Sequence, residues 1–210
     1  MEDGILGKGQ EMSQRHLDCS SEEVRAILEG RKTQTRQVIK LTEFQPCKMS
    51  GGSEWIFRDK HGCWNDVSTE RLLEKYCPYK IGMQLWVREK FKIGQGRSIV
   101  YFDTFSRWAE DIPFKPSIHM PRWASRILLE IVSVRVQRVQ EISYEDIIDE
   151  GISGHFLAYA DAVKIALKDL ASSQARIAYQ KLWDSLNAKR GYSWQSNPGV
   201  WALGLKVVTK

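Results

Sequence analysis

The chain has 210 residues, of which 42% are hydrophobic and 27% are charged, as is ordinary for a soluble globular protein. At roughly 150 residues per domain, this length allows one domain with insertions or two very small ones, and we favour one. The net charge of +5 favours polyanionic partners. No stretch approaches about 18 consecutive apolar residues and the N-terminus lacks the apolar core of a signal peptide, so we expect a cytosolic protein without a membrane segment.

Four cysteines, at positions 19, 47, 63 and 77, include no C-x-x-C pair, so we expect free thiols in a reducing compartment. A zinc site built from Cys47, His61, Cys63 and Cys77 is an alternative, but its spacing matches no common zinc pattern. We therefore predict neither a metal nor another cofactor.

In chain order, residues 1–16 are glycine-rich and polar and predict a disordered tail. Ser20 followed by Glu23 is typical of a capping box, which predicts a short helix up to Glu29. Gly30 suits the left-handed residue after a helix end, and an extended segment should follow it.

Residues 42–80 predict a hairpin followed by a short helix around Thr69–Tyr76, and this segment is typical of an insertion. After it, strands are expected at Met83–Glu89 and Ser98–Phe102, joined as a meander around a glycine turn.

Branched residues on both faces of Arg126–Val139 predict a long, central strand. Ser143 should cap a short helix, and two further helices are expected at Leu157–Leu170 and Ser173–Lys189 before the last strand at Val200–Val208. The third of these helices should face inward through Ile177, Leu182, Trp183 and Leu186. Strands separated by helices without regular βαβ alternation predict an α+β fold with a small barrel or a strongly curved sheet.

Eight tryptophans are a high count for this length. Trp86, Trp183 and Trp201 lie in apolar patterns that predict core positions. Trp123 lies between two arginines just before the long strand, where it would be either a surface residue or one wall of a cleft.

The segment 29–36 places Arg31, Lys32 and Arg36 beside two threonines directly after a helix. This pattern favours a site for anions or nucleotides. The alternative is that the three cations only complement the negative helix end and stay solvated.

Five features of the chain occur in a recognisable order. They are a helix ending in Gly30-Arg31-Lys32-Thr33, Gly82 before Leu85-Trp86-Val87-Arg88-Glu89, residues 119–126 before a long strand, a Ser143 helix ending at Glu150-Gly151, and a closing Val200-Trp201 strand. In these features the chain resembles the ASCH domain family across roughly residues 17–208, and most closely its longer members from bacteriophages and prophages.

The resemblance implies a PUA-like pseudo-β-barrel of five to six mainly antiparallel strands with flanking helices. It implies a single domain over 17–210 with insertions at about 42–80, 103–118 and 153–190. It also implies a cleft that receives RNA or a modified base, so the expected partner is single-stranded RNA or a modified nucleoside.

Small bacterial members hydrolyse N4-acetylcytidine with a lysine and a threonine of this segment and a glutamate at a helix end, which correspond to Lys32, Thr35 and Glu150. The family usually places its arginine five positions after the lysine, whereas Arg36 follows Lys32 by four. Chemically, Thr35 would attack an acyl carbon, and Glu150 would pass a proton or hold the lysine. Lys32 would act as base because the neighbouring charges of Arg31 and Arg36 should lower its pKa.

The resemblance assigns ligand binding to Gly30, Arg31, Arg36, Arg122, Trp123 and Arg126, with Arg122 or Arg126 sharing the cleft with Lys32. Three functional hypotheses follow. The protein binds RNA or a modified nucleoside, it hydrolyses an acylated cytidine or acts as a ribonuclease, or it is a phage accessory protein that binds another protein. A monomer is favoured, and the sequence leaves open whether the protein is an enzyme.

Overall fold

The computed structural model describes residues 15–47, 54–94, 96, 98–105, 113–152 and 168–208. The strands there are β1 (Arg15–Asp18), β2 (Gln34–Val38), β3 (Thr42–Pro46), β4 (Trp55–Arg58), β5 (Trp64–Val67), β6 (Gln84–Arg88), β7 (Phe91–Ile93), β8 (Ile99–Tyr101), β9 (Leu128–Arg138) and β10 (Gly199–Val208). The helices are α1 (Ser21–Leu28), α2 (Thr69–Lys75), α3 (Phe102–Phe105), α4 (Tyr144–Asp149) and α5 (Lys168–Asn187). The fold is therefore of the α+β class.

The main sheet has the strand order β1-β6-β9-β10-β2. Its pairings are antiparallel except for the parallel pair of β1 and β6. The prediction that the long strand is central is confirmed, since β9 is the middle strand of the five. β1 and β2 are the two edges, and no pairing between them closes the sheet within the described residues. Both edges nevertheless line one cleft, so the sheet curves strongly without forming a closed barrel.

Helix α1 follows directly from β1 and packs against the inner face of the sheet. The predicted capping box is confirmed, because the Ser20 hydroxyl accepts a hydrogen bond from the backbone of Glu23 while the Glu23 carboxylate accepts one from the backbone of Ser20. Val24 and Ile27 recur at helical spacing and are fully buried with Leu203 of β10. This packing fixes the position of the residues that follow the helix.

The segment after β2 is a three-stranded antiparallel sheet of β3, β4 and β5 followed by α2, where the sequence predicted a hairpin and a helix. Trp55, Phe57, Val67 and Leu72 bury their side chains in the same core as the main sheet. Among the strands of the described chain, β7 and β8 pair only with each other, so the predicted meander with β6 is absent there.

Other boundaries differ from the prediction. A strand begins at Arg15, inside the last two residues of the predicted tail, while residues 1–14 lie outside the described chain. The predicted helix 157–170 lies mostly outside the described residues, and α5 begins at Lys168 rather than at residue 173. Trp183 and Trp201 are buried as predicted, whereas Trp86 is only half-buried.

Candidate functional site

A cleft of about 840 Å3 lies between the two edges of the main sheet and helix α5. β1 contributes residues 15–18 and β2 contributes residues 35–38. Glu23 and Glu150 are at the same cleft, and α5 forms a wall. The cleft thus occupies the gap that remains because the sheet curves but does not close.

A tight turn after α1 carries Lys32 towards the end of α4. Gly30 adopts a φ of 72°, and the backbone amides of Arg31 and Lys32 both donate to the carbonyl of Ala26. Lys32 then forms a β-bridge with Glu150. Gly151 permits this approach, because a Cβ atom there would lie 2.8 Å from the Cβ of Lys32.

The Lys32 ammonium is enclosed by acceptors. Its Nζ donates to the carboxylate and to the backbone carbonyl of Glu150, each at 3.0 Å, and lies 3.5 Å from the Glu23 carboxylate. Only 1% of the Lys32 side chain is exposed. Lys32 is not among the residues that line the cleft, so its ammonium group lies behind Glu150 rather than at the surface of the cleft.

Arg36 holds the other oxygen of the same carboxylate. Its guanidinium donates to Glu150 at 3.0 Å, to Asp146 at 2.7 Å and to the side-chain oxygen of Gln34 at 2.8 Å. Arg135 donates to the second oxygen of Asp146 at 2.8 Å. Three cations and three carboxylates therefore balance in one network, here called the floor of the cleft: Lys32, Arg36, Arg135, Glu23, Asp146 and Glu150.

The expected neutral lysine base is wrong in this structure. Burial by itself lowers the pKa of Lys32, but the charges of Glu150 and Glu23 and the hydrogen bond to Glu150 together raise this pKa above its usual value. The sequence argument failed because Arg31 turns away, donating to the Glu29 carboxylate and to the carbonyl of Gly151. The two carboxylates therefore favour the protonated form of Lys32.

Thr35 and Glu150 line the same cleft, and Glu150 contacts Lys32 directly. The three residues predicted as a catalytic set are therefore neighbours of one site. Lys32 lies before β2, while Thr35 lies within it. Thr35 is buried, with 6% of its surface exposed, and its strand neighbour across the sheet is Leu203.

Helix α5 supplies an aromatic and apolar wall that the sequence pattern identified only in part. Tyr179, Leu182, Trp183 and Leu186 follow the i, i+3, i+4, i+7 spacing of one helix face and all line the cleft. The predicted inward position of Ile177 is wrong, since it is 52% exposed and lies off this face. Burial, and then the charge of Glu150, raise the pKa of Tyr179 well above its usual value, so its phenol stays protonated.

The rim of the cleft carries exposed cations that sequence reasoning did not select. Arg15, Lys40 and Arg190 line the opening and are exposed. Arg15 lies over the ring of Tyr79, 5.9 Å from its centroid. Within the described part of the chain, no ion pair engages any of these three cations, in contrast to the cations of the floor.

The remaining predicted binding residues lie elsewhere. Arg31 lines a smaller neighbouring cavity rather than the main cleft. Arg122 and Arg126 do not line the cleft, contrary to the expectation that one of them would share it. Arg126 instead donates twice to the carboxylate of Glu89, at 2.9 Å each. Trp123 is 60% exposed and is also outside the cleft lining.

Three further properties concern the described residues as a whole. No group of three or more histidine, cysteine, aspartate or glutamate side chains converges as metal ligands would, so the zinc alternative is not supported there. The four cysteines are free thiols. None of the helices in the described ranges combines the length and apolar character needed to cross a membrane.

Comparison with known proteins gives little. No family model matches the chain, and no curated protein matches it. A solved protein from Enterococcus faecalis V583, described as family DUF984, aligns with a TM-score of 0.38 and 9% identity over 86% of this chain and 63% of that one. The chain thus spans less than two thirds of that protein.

Proposed function

We propose that the cleft binds a nucleoside or nucleotide, free or within single-stranded RNA, as the resemblance to the ASCH family implies. The same proposal includes a PUA-like pseudo-barrel for the curved sheet and a cytosolic location for this free-thiol protein. The observation that carries it is the contrast between the charge-balanced floor, the apolar wall of α5 and the cationic rim. These three surfaces correspond to the base edge, the base face and the phosphate of one nucleotide.

The floor suits a neutral, hydrogen-bonding group better than a phosphate. Lys32 and Arg36 already have carboxylate partners, so an anion placed against them would meet Glu150 and Glu23 as well. A base edge presents donors and acceptors without net charge and avoids this repulsion. Leu182 and Leu186 beside Trp183 offer the apolar surface against which a flat base packs.

The rim suits the phosphate. The exposed cations of the rim, Arg15, Lys40 and Arg190, make no ion pair within the described residues. A phosphate there would therefore pair with these positive charges without displacing a carboxylate. We therefore expect cytidine 5'-monophosphate to bind more tightly than cytidine, with a difference that decreases as salt is added.

Hydrolysis of an acylated cytidine is the second candidate, because a hydroxyl and a carboxylate line the same cleft. Thr35 would attack the acyl carbon while Glu150 accepts its proton and returns it to the leaving amine as the carbon–nitrogen bond breaks. Water would then hydrolyse the threonine ester. Lys32 and Arg36 would hold Glu150 in place, which replaces the base role first expected of Lys32.

Calorimetric titration with cytidine, cytidine 5'-monophosphate and N4-acetylcytidine tests the binding proposal. Leu186→Gln removes an apolar contact from the cleft wall, and Ile177→Gln is its matched control, since both leucine and isoleucine are half-exposed on the same helix. We expect Leu186→Gln to weaken binding about fivefold and Ile177→Gln to leave it unchanged. Equal effects of the two substitutions on affinity would contradict binding in this cleft.

Release of acetate from N4-acetylcytidine tests the second candidate. The unaltered protein is assayed in the presence of chelator, beside Thr35→Ala and Thr35→Ser. A threonine nucleophile is supported if the unaltered protein turns over, Thr35→Ala does not, and Thr35→Ser still does. Tight binding without turnover would leave the protein as a binding module.

A further inference from the structure

An exposed aromatic surface lies next to the cleft but outside it. Trp123 and Ile118 are each 60% exposed. Trp123 lies in a short 3-10 turn whose last residue, Ala124, is buried, and the hydroxyl of Tyr101 donates to the carbonyl of Ala124 at 3.0 Å. Met120 is buried in the same hydrophobic cluster as Ala124. A rigid frame therefore holds this indole in solvent, which packing alone does not explain.

The same surface carries two arginines. The guanidinium carbons of Arg88 and Arg122 lie 6.0 and 5.9 Å from the ring centroid of Trp86. Residues 113–129 contain no aspartate or glutamate. The nearby carboxylate of Asp18 is held by two hydrogen bonds from Arg88, at 2.6 and 2.7 Å.

This surface continues from the mouth of the cleft. The register of β1 and β6 places His16 opposite Trp86, and their ring centroids are 5.7 Å apart in an edge-on contact. His16 also lines the cleft, as does Ser117, which directly precedes Ile118. A chain leaving the cleft beside β1 would therefore meet His16, then Trp86, then the turn that carries Trp123.

We propose that His16, Trp86, Arg122 and Trp123, here called the aromatic strip, bind the single-stranded flank of a nucleic acid whose neighbouring nucleotide occupies the cleft. Bases stack on aromatic rings with little sequence preference, and arginines beside those rings attract the backbone. The strip has both features in continuity with a cationic rim, which favours a polyanionic strand over an apolar protein partner. This inference rests on the proposed function in that it takes the cleft to hold one nucleotide.

Two measurements test the strip. Fluorescence anisotropy follows the binding of labelled single-stranded RNA and DNA of about 12 nucleotides with one mixed sequence, and calorimetry follows the binding of cytidine 5'-monophosphate. Trp123→Ala is the test variant. Trp64→Ala is its matched control, because Trp64 is also half-exposed, with the guanidinium of Arg58 5.1 Å from its ring centroid, yet it lies on β5 away from the cleft lining. We expect Trp123→Ala to weaken oligonucleotide binding about tenfold and mononucleotide binding less than twofold.

The outcomes separate the two proposals. Weakening of both the RNA and DNA arms would identify any single strand as the partner, and weakening of the RNA arm alone would identify RNA. If Trp123→Ala and Trp64→Ala weaken oligonucleotide binding equally, the proposal for the aromatic strip is wrong, and the proposal for the cleft is unaffected. If the oligonucleotides bind through Trp123 but the mononucleotide does not bind, nucleic-acid binding by the strip is supported and the cleft proposal fails. No oligonucleotide binding at low salt would overturn the strip and favour a protein partner there.

Discussion

Two buried ion-pair clusters in this protein have similar chemistry and different surroundings. In one, Glu150 is held by Lys32 and Arg36, each at 3.0 Å. In the other, Glu89 is held by two hydrogen bonds from Arg126. Glu150 lines a cleft, whereas Glu89 is only 2% exposed and outside the cleft lining.

Both clusters lie in segments whose sequences suggest function, so residue type alone does not distinguish a site from a structural pair. The difference is access to a ligand. Because a buried ion pair adds little net stability, each cluster is better regarded as a positioning device than as a source of stability. In the first cluster the positioned group faces an open cleft, and in the second Arg126 lies over the ring of Tyr101, with its guanidinium carbon 4.2 Å from the ring centroid.

The largest effect is expected from Glu150→Gln. This change keeps the side-chain shape but leaves Lys32 and Arg36 short of one negative charge in a buried place. We expect a loss of about 3–5 kcal/mol in the free energy of unfolding, measured by urea denaturation. Asp149→Asn is the control, because it makes the same chemical change one residue earlier and should cost little. Equal stability of Glu150→Gln and the unaltered protein would show that the cluster is not coupled as described.

Glu89→Gln should have a smaller effect on stability and none on binding. Arg126 is 26% exposed, so water can partly replace its lost partner, and we expect a loss of about 1–3 kcal/mol. Affinity for cytidine 5'-monophosphate should stay within twofold of the unaltered protein. A large loss of affinity in this variant would remove the distinction between the two clusters.

The ion pairs of Asp146 in the floor of the cleft should also affect how stability depends on pH in acid. Burial by itself raises the pKa of Asp146, but hydrogen bonds from Arg135 and Gln34 and the charge of Arg36 hold this pKa below its usual value. A lowered pKa gives stability that is present above the unfolded-state pKa of about 3.9 and is lost as pH falls through the folded-state value. We expect the stability difference between the unaltered protein and Asp146→Asn to be constant above about pH 5 and to shrink below about pH 4. A difference independent of pH would contradict the assigned network.

The smallest effects on stability are expected at the rim. Lys40→Gln and Arg190→Gln should change the free energy of unfolding by less than about 0.5 kcal/mol, since both side chains are exposed. Each should reduce the slope of log affinity against log salt for a single-stranded oligonucleotide by about one. Lys206→Gln, an exposed lysine of β10 outside the cleft lining, is the control and should leave the slope unchanged.

Local features were predictable because local signals determine them. Ser20 and Glu23 form the capping box, Gly30 has the positive φ that a helix end requires, and β9 is central as its branched residues indicate. The resemblance also named Lys32 and Glu150, which the structure places in contact although they are 118 positions apart.

The remaining features depend on contacts that sequence neighbours do not reveal. The sign of the Lys32 pKa shift follows from Glu150 and Glu23, whereas the adjacent Arg31 faces away. The wall of the cleft begins at Tyr179 rather than Ile177 because the helix packs through Tyr179 and Trp183 on a cluster that includes Ile147 of α4 and Val200 of β10. The partner of Arg126 is likewise fixed by the tertiary fold.

Methyl-labelled NMR titration with cytidine 5'-monophosphate tests the central claim most directly. Leu182 and Leu186 line the cleft, and Leu28 is a leucine of α1 that is 50% exposed and does not line it. The account predicts saturable shifts of the Leu182 and Leu186 methyl signals while the Leu28 signals stay fixed. Saturable shifts at Leu28 with none at Leu182 and Leu186, or no saturable shift at all at low salt, would contradict a nucleotide site in the cleft.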